Sequence, residues 1–336
     1  MKPLSHLIIG IACVLMLPAC HTKEEMDYSA DPVENIEALW QIMDTKYCYI
    51  EKKKVDWNEV HETYIEKATK LPKNDVVALF DLCAEMLNLL EDGHVNLYSP
   101  FDRSYCTAWY DSFPANFSSS LQSMYLRNYR IAGSLYYCTL DSGNIGYVYY
   151  ASFSNSVSAE NIRWVLRAFQ DCKGLIIDVR NNGGGTLSNS YLLSSPFFTE
   201  NKTVGYWQHK TGPGHNDFSP MEEQTSDASL CSAKWSRPVA VLTNRRCYSA
   251  TNSFINIMRY ADRAVIVGGT SGGGGGMPMS YELPIGWMVR FSSVRMYDAD
   301  KKDIEQGIEP DISVEITGTD KDDIIEKAIE LLNQAD

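Results

Sequence analysis

From Asp31 onward the apolar positions recur at helical spacing. Asp31-Pro32 opens a helix with Ile36, Leu39, Trp40 and Met43 on one face. Trp57, Val60 and Tyr64 mark a second helix, and residues 76–90 a third. Residues 100–136 are rich in Ser and Tyr and have weak periodicity. After Tyr137, short continuous apolar runs alternate with helical stretches. Strands are expected at 144–153, 175–179, 239–242, 264–267, 287–292 and 312–316, and helices at 159–172, 187–193, 250–261 and 322–333. This alternation predicts an α/β or α+β core behind an N-terminal helical subdomain. Residues 199–236, with Gly, Pro, Asn and Asp scattered through them, read as a long loop of the kind that faces a substrate. No internal repeat is found.

The first twenty residues follow a different pattern. One lysine precedes an apolar run from Leu7 to Leu17, and Leu-Pro-Ala-Cys follows. This is the form of a secretory signal. Its small residue before Cys20 resembles a bacterial lipoprotein box, which implies cleavage before Cys20 and acylation of its thiol. An ordinary signal peptide with an incidental cysteine is the alternative. The expected division is a signal at 1–20, a polar tether at 21–30, helices at 31–100, a connecting segment at 101–136 and the core at 137–336. The protein is then an exported lipoprotein of the cell envelope, facing the periplasm or on the outer membrane, with a lipid anchor as its membrane contact.

Chemistry concentrates in two segments. In residues 238–276, a buried strand turns through Ser249 into a helical pattern carrying Phe254, Ile257 and Met258, and a five-glycine loop follows a second strand. A serine at the start of a helix has an exposed hydroxyl with unpaired N–H groups beside it, although serine there is also a common helix cap. In residues 173–187 a strand ends in Arg-Asn-Asn followed by Gly183, Gly184 and Gly185, which lets backbone amides approach a ligand closely. Neither segment has the spacing of a phosphate loop or a dinucleotide fingerprint.

Together, the DVRNNGGG loop, the Ser249 turn and the GGTSGGGGG loop resemble the C-terminal processing (tail-specific) serine peptidases, tricorn-core-like members among them. The resemblance covers roughly residues 144–316, with a looser match upstream to about Asp31. It implies a mixed α/β core of the ClpP/crotonase-like type and a polypeptide substrate. Such peptidases carry a base lysine in a T-x-G-K-G run, where this chain reads Thr270-Ser271-Gly272-Gly273-Gly274. A Ser–Lys dyad is therefore not available from that loop. His94, after the Asp92-Gly93 turn, looks like the histidine of the lysine-lacking members, and neutral imidazole suits a base near pH 7. Glu305, just before Gly-Ile in the Asp303–Val314 segment, maps to the glutamate that orients the base, with Glu309 as the other candidate. The oxyanion donors implied are the backbone N–H groups of Gly184 and Ala250. With Glu305 beside it, the imidazole is expected to titrate at about 6 to 7.5. Should His94 not be the base, Lys301 and Lys302 are the next residues to test. A binding protein on the same scaffold, with its chemistry lost as in the retinoid-binding repeats, is the competing reading.

Composition narrows the classes. The net charge of −13 argues against nucleic acid as a partner. Seven cysteines beyond Cys20 are an odd number, so at least one stays free within a chain. With no C-x-x-C or H-E-x-x-H, neither a metal nor any other cofactor is expected. Cys247, two residues before Ser249, alternates into the packed side of the turn. The connecting segment is too short for the PDZ module that many tail-specific peptidases insert there.

Overall fold

The computed structural model describes residues 28–335, so Cys20 and its leader lie outside the described residues. Aspartates start the first three helices. Asp31 accepts from the N–H groups of Val33 and Glu34 at the head of α1 (Pro32–Lys46), where Pro32 gives up an N–H that would have no partner. Asp56 and Asp75 cap α2 (Trp57–Thr69) and α3 (Val76–Asn88) in the same way. The buried faces of these helices, with Ile36, Leu39, Tyr64 and Met86, share one core with Val289 and Phe291. The helical region is therefore packed onto a sheet and does not stand apart.

After β1 (Asn96–Tyr98) the chain makes two short helices, α4 (Ala108–Asp111) and α5 (Ser119–Tyr125), then an edge strand, β2 (Arg130–Ala132). No PDZ domain lies in this stretch. The remaining elements are β3 (Leu135–Leu140), β4 (Ile145–Tyr149), α6 (Ala159–Ala168), β5 (Gly174–Asp178), α7 (Leu187–Ser194), β6 (Thr203–His209), β7 (Glu222–Thr225) and β8 (Val239–Thr243). They are followed by α8 (Ala250–Met258), β9 (Ala264–Gly268), β10 (Gly276–Glu282), β11 (Met288–Tyr297), β12 (Ile312–Ser313) and α9 (Asp323–Gln334).

The larger sheet has the order β12-β9-β8-β5-β4-β3-β2, parallel from β12 to β4 and antiparallel beyond. Every residue of β5 and β8 is buried, as expected for parallel strands covered on both faces. Leu175, Ile177, Val239 and Val241 pack toward Ile162, Val165, Phe254 and Ile257 of α6 and α8. Ile176, Ala240 and Leu242 face Ile324, Ala328 and Leu332 of α9. The smaller sheet is antiparallel around β11, which pairs with β1, β6 and β10, while β7 extends β6.

The strands and helices of the core fall where the apolar pattern places them, with ends shifted by a few residues. Some differences are larger. β1, β2 and β3 were not expected, and β3 runs across the boundary drawn between residues 136 and 137. Residues 199–236 contain the β6–β7 hairpin, which the pattern hides because β7 is Glu-Glu-Gln-Thr on an exposed edge. β10 was not expected, since Gly276 and Pro278 weaken its strand signature, and the ladder slips between Met277 and Pro278. The strand expected at 144–153 ends at Tyr149, and Phe153 instead bridges to Gly185 of the glycine loop. Among the described residues no helix is long and apolar enough to cross a membrane.

Candidate active site

Ser249 occupies the turn between β8 and α8 with φ 57° and ψ −121°, a region that non-glycine residues rarely adopt. Such a conformation costs on the order of 1–3 kcal/mol and persists only where neighbours enforce it. Here they do. The Ser249 N–H donates to the Gly273 carbonyl at 2.8 Å, Gly272 N–H donates to Cys247 O at 2.7 Å, and Tyr248 N–H donates to Asn182 O at 3.2 Å. The Ser249 hydroxyl makes no helix-cap bond; its partner is His94 Nε2, at 2.9 Å.

The five-glycine loop explains the missing lysine. Gly273 has φ 84°, and a Cβ there would stand 1.8 Å from the Glu305 carbonyl oxygen. Both the backbone and the packing exclude a side chain at that position.

His94 is delivered by the turn that ends α3. Asp92 accepts its N–H at 2.7 Å through Oδ1, which locks the turn. β1 then pairs with β11 with Asn96 opposite Arg290, and continuing that register brings His94 abreast of Ser292. The imidazole Nδ1 lies 3.2 Å from Ser292 Oγ, and Tyr248 meets the ring edge-on at 4.9 Å. His94 is 3 % exposed. Burial pushes it down to about 4; Asp92 opposes this, and Arg290 and Lys53 add to it. The expected rise toward 6 to 7.5 is thus reversed, because desolvation outweighs the acidic neighbour.

Glu305 does not orient the imidazole. Among the described residues the hydrogen-bond partners of the His94 ring are Ser249 and Ser292. Glu305 is buried, its Oε2 has no partner, and its Oε1 lies 3.9 Å from Lys53 Nζ. Burial first, and the charge of Asp92 next, hold its carboxyl well above the usual carboxylate range. Asp92 behaves oppositely. Burial would raise it, but Lys53, the His94 ring and hydrogen bonds from Tyr47 and the His94 N–H leave it below its ordinary value. Tyr47 donates to Asp92 Oδ2 at 2.5 Å and Tyr248 to Oδ1 at 3.1 Å. Glu309 is exposed, as are Lys301 and Lys302.

The glycine loop abuts the serine turn, though with a different donor exposed. Gly184 is packed against Tyr248 O and Ser249 Cβ, and its N–H donates to Asn182 Oδ1 at 3.0 Å. That donor is already used. The N–H groups of Ala250 and Gly183 have no hydrogen bond among the described residues, and a Cβ on Gly183 would meet only open space. Asn182 ties the two loops together, accepting also from Thr251 Oγ1 at 2.8 Å and from Phe153 N–H at 3.2 Å.

Cys247 is wholly buried, donates to Val179 O at 3.1 Å, and burial pushes its thiol up to about 12. It packs the turn. Of the other described histidines, His61 and His215 bond to surface carboxylates and His209 lies near Glu222. The described residues contain no His, Cys, Asp and Glu cluster arranged to hold a metal ion.

The sequence profile of peptidase family S41 matches residues 144–314, and that of the tricorn protease C1 domain matches residues 28–88. A crystallised protein of Parabacteroides merdae ATCC 43184, described as a peptidase, is 45 % identical. It superposes over 90 % of this chain and 96 % of its own with a TM-score of 0.84. A Staphylococcus aureus (strain N315) protein named as a CtpA-like serine protease is 28 % identical over 52 % of this chain. That match spans only 34 % of the relative's length. Mature CPAF, solved in complex with lactacystin, shares the fold at 12 % identity. Its TM-score is 0.66 over 90 % of this chain and 97 % of its own.

Proposed function

This chain belongs to peptidase family S41, and from that premise we propose that it is a serine endopeptidase acting on polypeptides, with Ser249 as nucleophile and His94 as base. The observation that carries this reading is the 2.9 Å contact between Ser249 Oγ and His94 Nε2 on a strained turn. For Nε2 to accept the hydroxyl proton, Nδ1 must carry the ring hydrogen, which it donates to Ser292 Oγ. Ser292 thus holds the tautomer that Glu305 was expected to hold. Ser249 Oγ attacks the scissile carbonyl as its proton passes to Nε2. The developing oxyanion is met by the N–H groups of Ala250 and Gly183. His94 returns the proton to the leaving amine. It then takes one from a water whose oxygen attacks the acyl carbon, and gives it to Ser249 Oγ as the acyl bond breaks and the carboxylate product leaves.

A fluorophosphonate probe tests the assignment. It should label the wild-type protein at Ser249 and leave Ser249→Ala unlabelled. Silence in the wild type would favour a binding protein that keeps the cleft without the chemistry.

The leader supports a second element of the proposal, an acylated Cys20 that anchors the enzyme in the cell envelope. Cys20→Ser is expected to move the protein out of the membrane fraction or leave the leader uncleaved. Normal processing with unchanged membrane association would refute the anchor.

A further inference from the structure

Behind His94 two buried carboxyl groups share one ammonium. Lys53 Nζ lies 3.8 Å from Asp92 Oδ2 and 3.9 Å from Glu305 Oε1. Lys53 follows a single 3-10 turn, Ile50–Lys52, and its side chain is 10 % exposed. Beside it opens a cavity of about 780 Å³, lined in part by Lys53, Lys54, Val55, Leu89, Leu90 and Glu305. We propose that Lys53 is a positioning residue of the hydrolytic site: its ammonium bridges the Asp92 and Glu305 carboxyls and, through Asp92, fixes the turn that presents His94 to Ser249. This rests on the Ser249–His94 reading above.

The argument is one of charge and acceptor supply. Asp92 serves three donors at once: Tyr47 and Tyr248 hydroxyls and the His94 N–H. A carboxylate has lone pairs for all three, whereas a protonated Asp92 would spend one oxygen as a donor. The Lys53 charge favours the ionised form of buried Asp92 and so keeps its oxygens free to accept. The other charged groups are committed elsewhere. Lys52 pairs with Asp303, and Arg290 points to the His94 carbonyl and Asn96. Asp303 itself donates nothing to Asp92; its Oδ1 accepts the Glu305 N–H. At 3.8 and 3.9 Å the Lys53 contacts exceed hydrogen-bond length, so Lys53 acts as a charge between the two carboxyls. Without it the Asp92 carboxylate loses the charge that holds it, the turn that presents His94 loosens, and His94 loses a nearby positive charge.

The test compares Lys53→Met, Lys53→Gln, Lys53→Arg and Lys53→Ala, after fluorophosphonate labelling has been measured on the wild type. An unlabelled, inactive wild type sinks the hydrolytic reading and this proposal with it. With a labelled wild type, Lys53→Met is expected to lower kcat roughly ten- to a hundredfold with little change in KM, the scale on which a displaced catalytic group loses rate. The acid limb of kcat/KM should move up by about one pH unit, as removal of a nearby positive charge makes the imidazole easier to protonate. Lys53→Arg should keep the wild-type limb. Lys53→Gln asks the same question should the Met variant fold poorly. In Lys53→Ala, ethylammonium should enter the cavity and restore activity, while sodium chloride at equal ionic strength should not. Wild-type rate and limb in a folded Met or Gln variant would overturn the proposal. So would a loss of rate with an unmoved limb and no rescue by ethylammonium, the signature of a merely structural lysine.

Discussion

Ser249→Ala is expected to abolish peptide hydrolysis, with a loss on the order of 10⁶-fold in kcat, the scale on which serine hydrolases lose turnover with their nucleophile. The fold should survive. The hydroxyl caps nothing, and its described partner is His94 Nε2. Alanine keeps the Cβ, so the strain of φ 57° is the same before and after. Stability should therefore change by no more than about 1 kcal/mol, the net worth of one neutral hydrogen bond. Cys247→Ala is the control, because it lies two residues away in the same turn. Its thiol is wholly buried and faces Val179 O, so its loss should cost roughly 1 kcal/mol of stability and leave most of the turnover. A dead, folded Cys247→Ala beside an active Ser249→Ala would reverse the assignment.

The parts of this site that could be read from the sequence are those whose chemistry is local. Ser249 is visible because a buried strand, a polar turn and an apolar helix are consecutive in the chain. His94 is visible because Asp-Gly marks the end of α3. The parts that could not be read are made by long-range register and by burial. Ser292 meets His94 only because β1 docks antiparallel on β11, 198 residues later in the chain. Lys53 arrives from the loop before α2, and nothing near it in sequence signals the site. Asp92 was in view as a turn former, but the tyrosines that donate to it come from α1's C-terminal cap and from the residue before Ser249. Glu305 illustrates the converse. Its place in the chain fits an orienting carboxylate, yet burial holds its carboxyl well above the usual range and it bonds to neither ring nitrogen. Gly184 was the central glycine of its loop and the natural guess for an oxyanion donor. The Asn182 side chain had already taken its N–H. At the level of the fold, the parallel strands were legible because both faces are apolar. The β6–β7 hairpin and β10 were not, because edge strands need no apolar pattern.

The acid limb of kcat/KM is expected near pH 4, about two and a half units below where an exposed histidine would place it. The base works only when neutral, so activity should hold through pH 5 to 8 and fall as pH drops through the imidazole's depressed value. Burial is the main cause, with Arg290 and Lys53 adding to it and Asp92 opposing; Ser249, Ser292 and Tyr248 complete the ring's surroundings and carry no charge at these pH values. His94→Ala should remove this limb together with nearly all turnover. The same shift has a stability consequence of definite sign. In the unfolded chain the imidazole titrates near its reference value of about 6.5, so between about 4 and 6.5 the unfolded state binds more protons than the folded one. The contribution of neutral, buried His94 is thus fully present above that reference value. It is lost as pH falls toward 4, and amounts to on the order of 3 kcal/mol. Urea unfolding of wild type and His94→Ala at pH 7.5 and pH 5 isolates it: the wild type should lose more stability on acidification than the variant. A limb near pH 6.5 together with parallel stability curves would mean that the ring is solvated in solution, and the buried Ser249–His94 pair would have to be abandoned as the resting state of the enzyme.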